Sequence, residues 1–399
     1  MIKISKIAAN MKSSATLDVA AKAKKMRAQG KDVISFATGE PDFDTPLAIR
    51  EAGKQAIDQG LTRYTPSSGI PELKAAVRDK LARDNSLEYE EDEITITCGA
   101  KHAIYNALQA IVDPGDEVIV VAPYWVSYPE QVRLAGGTPV IVETDAQNAF
   151  RTSALEIENA ITKRTAAIIL NYPSNPAGST YSKEELAELG EVLVKHKVAI
   201  ISDEIYEKLI FGESKHVSIA KACPACKDFT IVVNGVSKSY AMTGWRMGWA
   251  CGPSNVISKM STLCGQQISG IPAFVQRACI EALEGPQDEV KRMRDEFARR
   301  RDIMFEKLKI IPGIKCHLPD GTFYLFPNMS HYMGKSYGDR KIADANELAQ
   351  YLLDDAHIAT VSGEPFGAPN HVRLSFATSR ERIEEGMARL ANSLAKVRS

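Results

Sequence analysis

Seven short apolar runs punctuate the middle of this chain: ITITC (94–98), EVIVVA (117–122), TPVIVE (138–143), AAIIL (166–170), VAIIS (198–202), FTIVV (229–233) and MGWACG (247–252). Most are rich in Ile and Val and bounded by turn residues, as expected of strands buried on both faces. Between them lie segments with apolar residues at helical spacing, such as AKHAIYNALQAIV and SKEELAELGEVLVKH. In the second, Ser182 and Glu185 have the spacing of a capping box. Strands alternating with helices through short turns favour parallel βαβ units. The expected fold is α/β, with a large domain on a mostly parallel seven-stranded sheet covered on both faces.

Beyond about residue 280 the texture changes. A long charged helix, QDEVKRMRDEFARRRDIMFEKLK, leads into short strands (TFYLF, HVRLSFA) and helices (ANELAQYLLDD, ERIEEGMARLANSLAKV). That pattern predicts a smaller α+β domain, with the long helix as the spine between the two. The expected division is an N-terminal segment, 1–46, with one helix and the turn-rich GEPDFDTP, packing with the small domain. Residues 47–285 form the large domain and 286–399 the small one. No internal repeat or low-complexity stretch interrupts this plan.

The 399 residues carry a net charge of -1, so global charge implies no polyanionic partner. No basic stripe with interleaved aromatics suggests nucleic acid. The start, MIKISKIAANMKSSATLD, lacks the apolar core of a signal peptide, and no run reaches membrane-spanning length. Seven scattered cysteines, an odd number, fit reduced thiols. A soluble cytoplasmic protein without membrane or nucleic-acid partners is expected. Cys223 and Cys226 form a CPAC spacing near His216, but a structural zinc site needs four ligands and no matching second pair exists. No metal is expected.

In open parallel sheets, ligands bind beyond the carboxyl ends of the strands. The residues following each run are therefore the informative ones. Gly99-Ala100-Lys101 opens a helix after ITITC, offering free N–H groups and a positive helix end to an anion. Pro123-Tyr124-Trp125, then Asn171 and Asn175, then Asp203, Glu204 and Tyr206 follow the next strands. Asn234, Ser237 and Lys238 follow FTIVV, with Arg246 shortly after. Taken singly, such residues are ordinarily caps, packing or solvated surface. Their convergence on one rim is what a small-molecule site needs.

The set also matches one kind of ligand. Gly99-Ala100, Ser237 and the planar fork of Arg246 suit a phosphate. Trp125 suits a flat ring, Asp203 a protonated ring nitrogen, Tyr206 and Asn175 a ring oxygen. Lys238 suits a carbonyl, through a Schiff base. A phosphorylated aromatic aldehyde with a ring nitrogen is pyridoxal 5'-phosphate.

GVSKSYAMTGWRMG resembles the lysine signature of class I pyridoxal-phosphate-dependent aminotransferases. GEPDFDTP, YTPSSGIPELKAAV, PYWVSYPE, NYPSNPAG, SDEIYEKL, PDGTFYLFP and VRLSFA extend the resemblance from about residue 10 to the C-terminus. The likeness is greatest to bacterial aspartate aminotransferases of the thermophile-type subgroup. It implies the fold type I architecture and transfer of the amino group of L-aspartate to 2-oxoglutarate by a ping-pong mechanism. Lys238 would carry the cofactor and shuttle the proton, with Asp203 on the ring nitrogen and Tyr206 and Asn175 on the ring oxygen. Trp125 would stack on the ring. Ala100, Lys101, Ser237 and Arg246 would hold the phosphate, with Tyr64 reaching across from the second subunit of a homodimer. Arg373 would clamp the substrate α-carboxylate, helped by Asn175, Trp125 and the backbone of Gly39.

The distal carboxylate is less determined. CGQQISGIPAFVQ, where some relatives carry an arginine, has none. In the subgroup a lysine of the phosphate-loop helix takes that role, which implies Lys101 with Thr16 nearby. ISGIP departs from the Thr-Ser pattern of close relatives, and Lys12 adds a basic group near the entrance. Aromatic, alanine or prephenate specificity, or a related lyase on the same fold, are the alternatives.

Overall fold

The structure, a computed structural model, describes residues 2–11, 15–338 and 340–398. A two-residue strand, β1 (Ile34–Ser35), precedes the seven expected ones. These are β2 (Ile94–Thr97), β3 (Glu117–Val121), β4 (Thr138–Val142), β5 (Thr165–Asn171), β6 (Ala199–Asp203), β7 (Thr230–Gly235) and β8 (Gly248–Cys251). They form one sheet in the order β2-β8-β7-β6-β5-β3-β4. Only β8 runs against its neighbours, β2 and β7. The segment between β7 and β8 holds a 3-10 turn (Thr243–Trp245) but no crossover helix, so the chain returns antiparallel.

Strand β5 shows how the alternation of side chains builds two layers. Ala167 and Ile169 join Ala103, Ile104 and Ile257 on one face, whereas Ile168 and Leu170 join Leu186, Leu189 and Leu193 on the other. Helices Ala100–Ile111 and Ser254–Ile268 cover the first face, and Lys183–Lys195 the second. The last of these begins with the expected capping box. Ser182 Oγ accepts from Glu185 N at 3.1 Å, and Glu185 Oε2 accepts from Ser182 N at 2.7 Å.

The long helix runs Asp288–Lys309 and leads to β9 (Tyr324–Leu325). A hairpin, β10 (Ser336–Tyr337) and β11 (Arg340–Lys341), precedes β12 (Ile358–Ala359), β13 (Val361–Ser362) and β14 (Val372–Ser375). Strands β13, β14 and β9 form an antiparallel sheet in that order, and β1 pairs parallel with β12. Phe36 packs with Phe297, Leu348, Leu374 and Leu390 in this second core. The N-terminal segment contains two helices, Lys6–Asn10 and Ala15–Ala28, rather than the one expected. The short strands β1, β10 to β13 carry no readable period at two residues each; pairing across the fold creates them.

Candidate active site

The carboxyl ends of β2, β3, β5, β6 and β7 open onto one cavity of about 540 Å³. Ala100 and Lys101, Trp125, Asn175, Asp203 and Tyr206, and Ser237 and Lys238 reach it from the strand ends. Arg246, just before β8, and Arg373, within β14, also line it. Gly39 and Thr16 enter from the N-terminal segment. The separate rim positions singled out in the sequence therefore share one space. Tyr64 does not: it is 93% exposed and lies outside the cavity of its own chain. Lys12 falls outside the described residues.

Lys238 Nζ donates to the carbonyl of Gly39 at 2.6 Å. Burial pushes its amine down to about 8; Arg373 and Arg246 act in the same direction, against Glu40 and Asp203. Burial likewise pushes Asp203 up to about 6, opposed by hydrogen bonds from Tyr128 OH (2.7 Å) and Ile205 N (3.2 Å). Asp203 stands in register with Asn171, whose side-chain amide donates to the Asp203 carbonyl at 2.9 Å. The carboxylate at the end of β6 is thus fixed in direction but lacks a cation at hydrogen-bond distance among the described residues.

At the other end of the lysine loop, Arg246 adopts a left-handed backbone conformation (φ 55°). Its guanidinium donates to the carbonyls of Thr243 (2.9 Å) and Cys98 (3.2 Å), which brings it to the first turn of helix Ala100–Ile111. Gly99 caps that helix at φ 78°, and a Cβ there would come within 2.7 Å of Arg246 Nη2. A second small residue, Gly248, leaves the backbone N–H of Ala100 clear, since a Cβ would lie 2.7 Å from that nitrogen. Helix end, guanidinium and glycine cradle fit a phosphate. With an amine of depressed pKa and a buried carboxylate in the same cavity, the donor set fits pyridoxal phosphate in each of its three functional groups.

Arg373 is 1% exposed, and its guanidinium donates to Asn175 Oδ1 and Ala37 O, both at 3.0 Å. Its carbon lies 4.3 Å from the ring centroid of Tyr324. Tyr206 and Tyr324 share a hydroxyl contact of 3.1 Å. Lys101 Nζ sits 4.7 Å over the Trp125 ring, its amine pushed down by burial and by Arg246. The ISGIP loop has a different neighbourhood. Ile268, Gly270, Ile271 and Pro272 line a neighbouring apolar groove with Trp245 and Phe274, which meets the cavity at Arg246.

Among the residues of the site that escaped the sequence reading, three stand out. Tyr128, in the first turn of helix Ser127–Leu134, meets the Trp125 ring edge-on at 5.4 Å, and its place three residues after Trp125 is the signal that could have found it. Tyr324 sits in the quoted PDGTFYLFP and Glu40 in GEPDFDTP, both without a strand-end position to mark them. Behind the site, Glu204, Glu207 and His216 hold donor atoms within 4.8 Å of one another. Glu204 is already engaged by Ser202, Ser218 and His216, and Glu207 by Lys80 and Asn85, so both carboxylates of this cluster are taken up by the chain, while His216 Nδ1 has no partner among the described residues. Cys223 and Cys226 are buried free thiols packed beneath Gly190.

Comparison with known proteins places this site in context. The family described as aminotransferase class I and II matches residues 31–390. The chain is 48% identical over 389 residues to an aspartate aminotransferase of Geobacillus stearothermophilus, covering 98% of each. It is 45% identical to an aspartate/prephenate aminotransferase of Cereibacter sphaeroides, again covering 98% of each. Its fold superposes with a TM-score of 0.93 on the aspartate aminotransferase of Thermus thermophilus solved with maleate, at 42% identity, covering 98% of this chain and 100% of that one. With the whole length matched and the donor set assembled in one cavity, the chain belongs to the class I and II aminotransferases and is a pyridoxal-phosphate-dependent enzyme.

Proposed function

We propose that this enzyme transfers the amino group of L-aspartate to 2-oxoglutarate. The observation that carries the reading is the pairing of a buried, carboxylate-free Arg373 with a second cation, Lys101, in the cavity of Lys238. Two cations beyond the phosphate corner suit a dicarboxylate. The names of the relatives and the maleate in the Thermus enzyme support the same choice.

When bound, the cofactor supplies an electron sink that lets the substrate's α-proton leave. The chain's residues then have distinct tasks. Arg373, aided by Asn175 and the Gly39 backbone, orients the α-carboxylate. Lys101, with Thr16, receives the distal one. Asp203 would keep the ring nitrogen positive, while Tyr206 and Asn175 would hold the ring oxygen. Trp125 would stack on the ring. Ala100, Ser237 and Arg246 hold the phosphate. Nζ of Lys238 would be the base that takes the substrate's α-proton and holds it for return.

The same reading divides the chain into an N-terminal segment, a large domain over 47–285 and a small one over 286–399. It also makes the enzyme a cytoplasmic homodimer, a location supported by seven free thiols. The apolar groove at Trp245, Ile268 and Phe274 is where a second copy docks, and the exposed Tyr64 reaches the phosphate of that copy. Among the described residues no helix is long and apolar enough to cross a membrane.

The test is the absorption spectrum of the cofactor-loaded protein before and after L-aspartate without a keto acid, with borohydride reduction and peptide mapping in parallel. Conversion of the visible band to a near-ultraviolet one, with reduced cofactor on Lys238, is expected. A band unmoved by aspartate but moved by an aromatic donor would replace the substrate; label on another lysine would displace Lys238. The Cereibacter relative's name favours one second reading, prephenate as an additional acceptor, checked by adding it to the aminated enzyme.

A further inference from the structure

Tyr324 has no role in the assignments above, yet it touches two residues that do. It lies on β9, is 1% exposed and lines the cavity. Its hydroxyl meets that of Tyr206 at 3.1 Å, and the Arg373 guanidinium carbon stands 4.3 Å from its ring centroid. A Cβ on Gly39 would come within 3.6 Å of the same hydroxyl, so the backbone that accepts from Lys238 Nζ passes beside it.

Strand pairing accounts for this position. In the antiparallel register of β9 with β14, Tyr324 stands opposite Ser375. Arg373, two residues before Ser375, shares that face as a diagonal neighbour, within reach of an aromatic ring. Phe323 and Leu325, on either side, are fully buried in the second core and fix the strand. Tyr206 arrives from the large sheet, just past β6, with its ring at 76° to that of Tyr324 and the centroids 6.1 Å apart. Tyr324 therefore joins the arginine of the small sheet to the phenol of the large one.

The two phenols hold two protons and share one contact. Burial pushes both above the ordinary phenol range, so each keeps its proton near neutral pH. Among the described residues the Tyr324 hydroxyl has no hydrogen-bond partner besides Tyr206. If Tyr206 donated, the Tyr324 proton would be stranded in a buried place, which is costly. If Tyr324 donates, its proton is used, and that of Tyr206 is left for a ligand oxygen in the cavity that Tyr206 lines. Accepting a bond also makes the Tyr206 hydroxyl a stronger donor.

We propose that Tyr324 is a positioning residue serving both ends of the site: its hydroxyl donates to Tyr206 and turns the Tyr206 proton towards the cofactor's ring oxygen, while its ring face holds the Arg373 guanidinium for the substrate carboxylate. This rests on the roles proposed above for Tyr206 and Arg373.

The experiment reads the two ends separately on the full chain loaded with pyridoxal phosphate. The visible band is followed across a pH series, and the affinity for maleate, a dicarboxylate with no amino group to give, is measured by calorimetry. Tyr324→Phe keeps the ring and loses the hydroxyl. The midpoint of the band is expected to rise by about half a pH unit, because the anionic ring oxygen is held less strongly, with maleate affinity within about twofold of wild type. Tyr324→Leu loses the ring as well, and maleate should bind about tenfold more weakly. In a Tyr206→Phe background, Tyr324→Phe should move the midpoint no further. A midpoint unmoved by Tyr324→Phe overturns the proposal, as does a shift that persists without the Tyr206 hydroxyl. Unchanged maleate binding in Tyr324→Leu overturns the part given to the ring; should that variant not fold, Tyr324→Met takes its place with the same outcomes. A midpoint that Tyr206→Phe itself leaves unmoved overturns the reading of Tyr206 and this proposal with it, so the two failures are told apart.

Discussion

Two cations in this molecule, Lys80 and Arg373, are each 1% exposed, and the fold treats them differently. Lys80 ends the helix Pro71–Lys80 and forms an ion pair with Glu207. It also donates to Asn85 Oδ1 at 2.7 Å, and Asn85 Nδ2 donates to Glu207 Oε2 at 2.8 Å, closing a triangle. Burial pushes the Glu207 carboxyl up, but Lys80, His216, Lys208 and Asn85 outweigh it and hold it below the usual range. Arg373 has only neutral oxygens, from Asn175 and Ala37, and its Nε has no partner among the described residues. A buried charge without a counter-ion is costly unless something else supplies one. The first cation is completed by the chain; the second has no counter-ion among the described residues, which suits its proposed role of receiving a ligand's carboxylate.

The largest expected effect breaks the completed pair. Lys80→Met strands Glu207 and should cost about 3–5 kcal/mol in urea unfolding, with KM for aspartate unmoved. Replacing both partners by apolar residues should recover much of that loss. Arg373→Lys should do the converse. Losing the planar fork is expected to lower kcat/KM for aspartate about a hundredfold, near 3 kcal/mol, with little change in unfolding.

Asp203 sharpens the same contrast through pH. In the folded, cofactor-free chain burial pushes its carboxyl up to about 6, from an ordinary 3.8. Between those values the folded state binds the proton and the unfolded state does not, so this group's contribution to stability is lost as pH rises towards 6. Asp203→Asn removes that dependence. The variant without cofactor should gain up to about 3 kcal/mol on wild type between pH 4 and 7, read from urea unfolding at each pH. Saturating cofactor should reverse the sign, because its ring nitrogen favours the ionised acid. The smallest effect belongs to Tyr128→Phe. Without the phenol's hydrogen bond Asp203 is harder to ionise, and cofactor affinity should fall roughly tenfold, about 1.4 kcal/mol, in equilibrium titration.

Legibility in the sequence followed the length of the signal. All seven sheet strands appear where the apolar runs place them; six of those runs carry Ile or Val, β8 is the GWAC of MGWACG, and the inner strands are continuous in apolar residues because they are buried on both faces, whereas the edge strand β4 is largely exposed. The rim residues, from Ala100 through Lys238 to Arg246, were found because the strand ends point to them. Arg373 was placed only by resemblance, since nothing local distinguishes an arginine in HVRLSFA from a surface one. Tyr128 and Tyr324 were not found, because their importance lies in distances to Asp203 and Tyr206.

By itself, then, the sequence determined the strand inventory, the two-faced sheet and the chemistry gathered at its rim. Those follow from apolar periodicity and from residues adjacent in the chain. Only the tertiary structure decided that β8 reverses, that β1 joins β12, and which buried charges are already paired. The physical reason is that a charge's state depends on what surrounds it, and those surroundings come from segments far apart in the chain. Lys80 and Arg373 look alike as letters; only the arrival of Glu207 beside one, and of uncharged oxygens beside the other, makes the first structural and the second a proposed receiver of substrate.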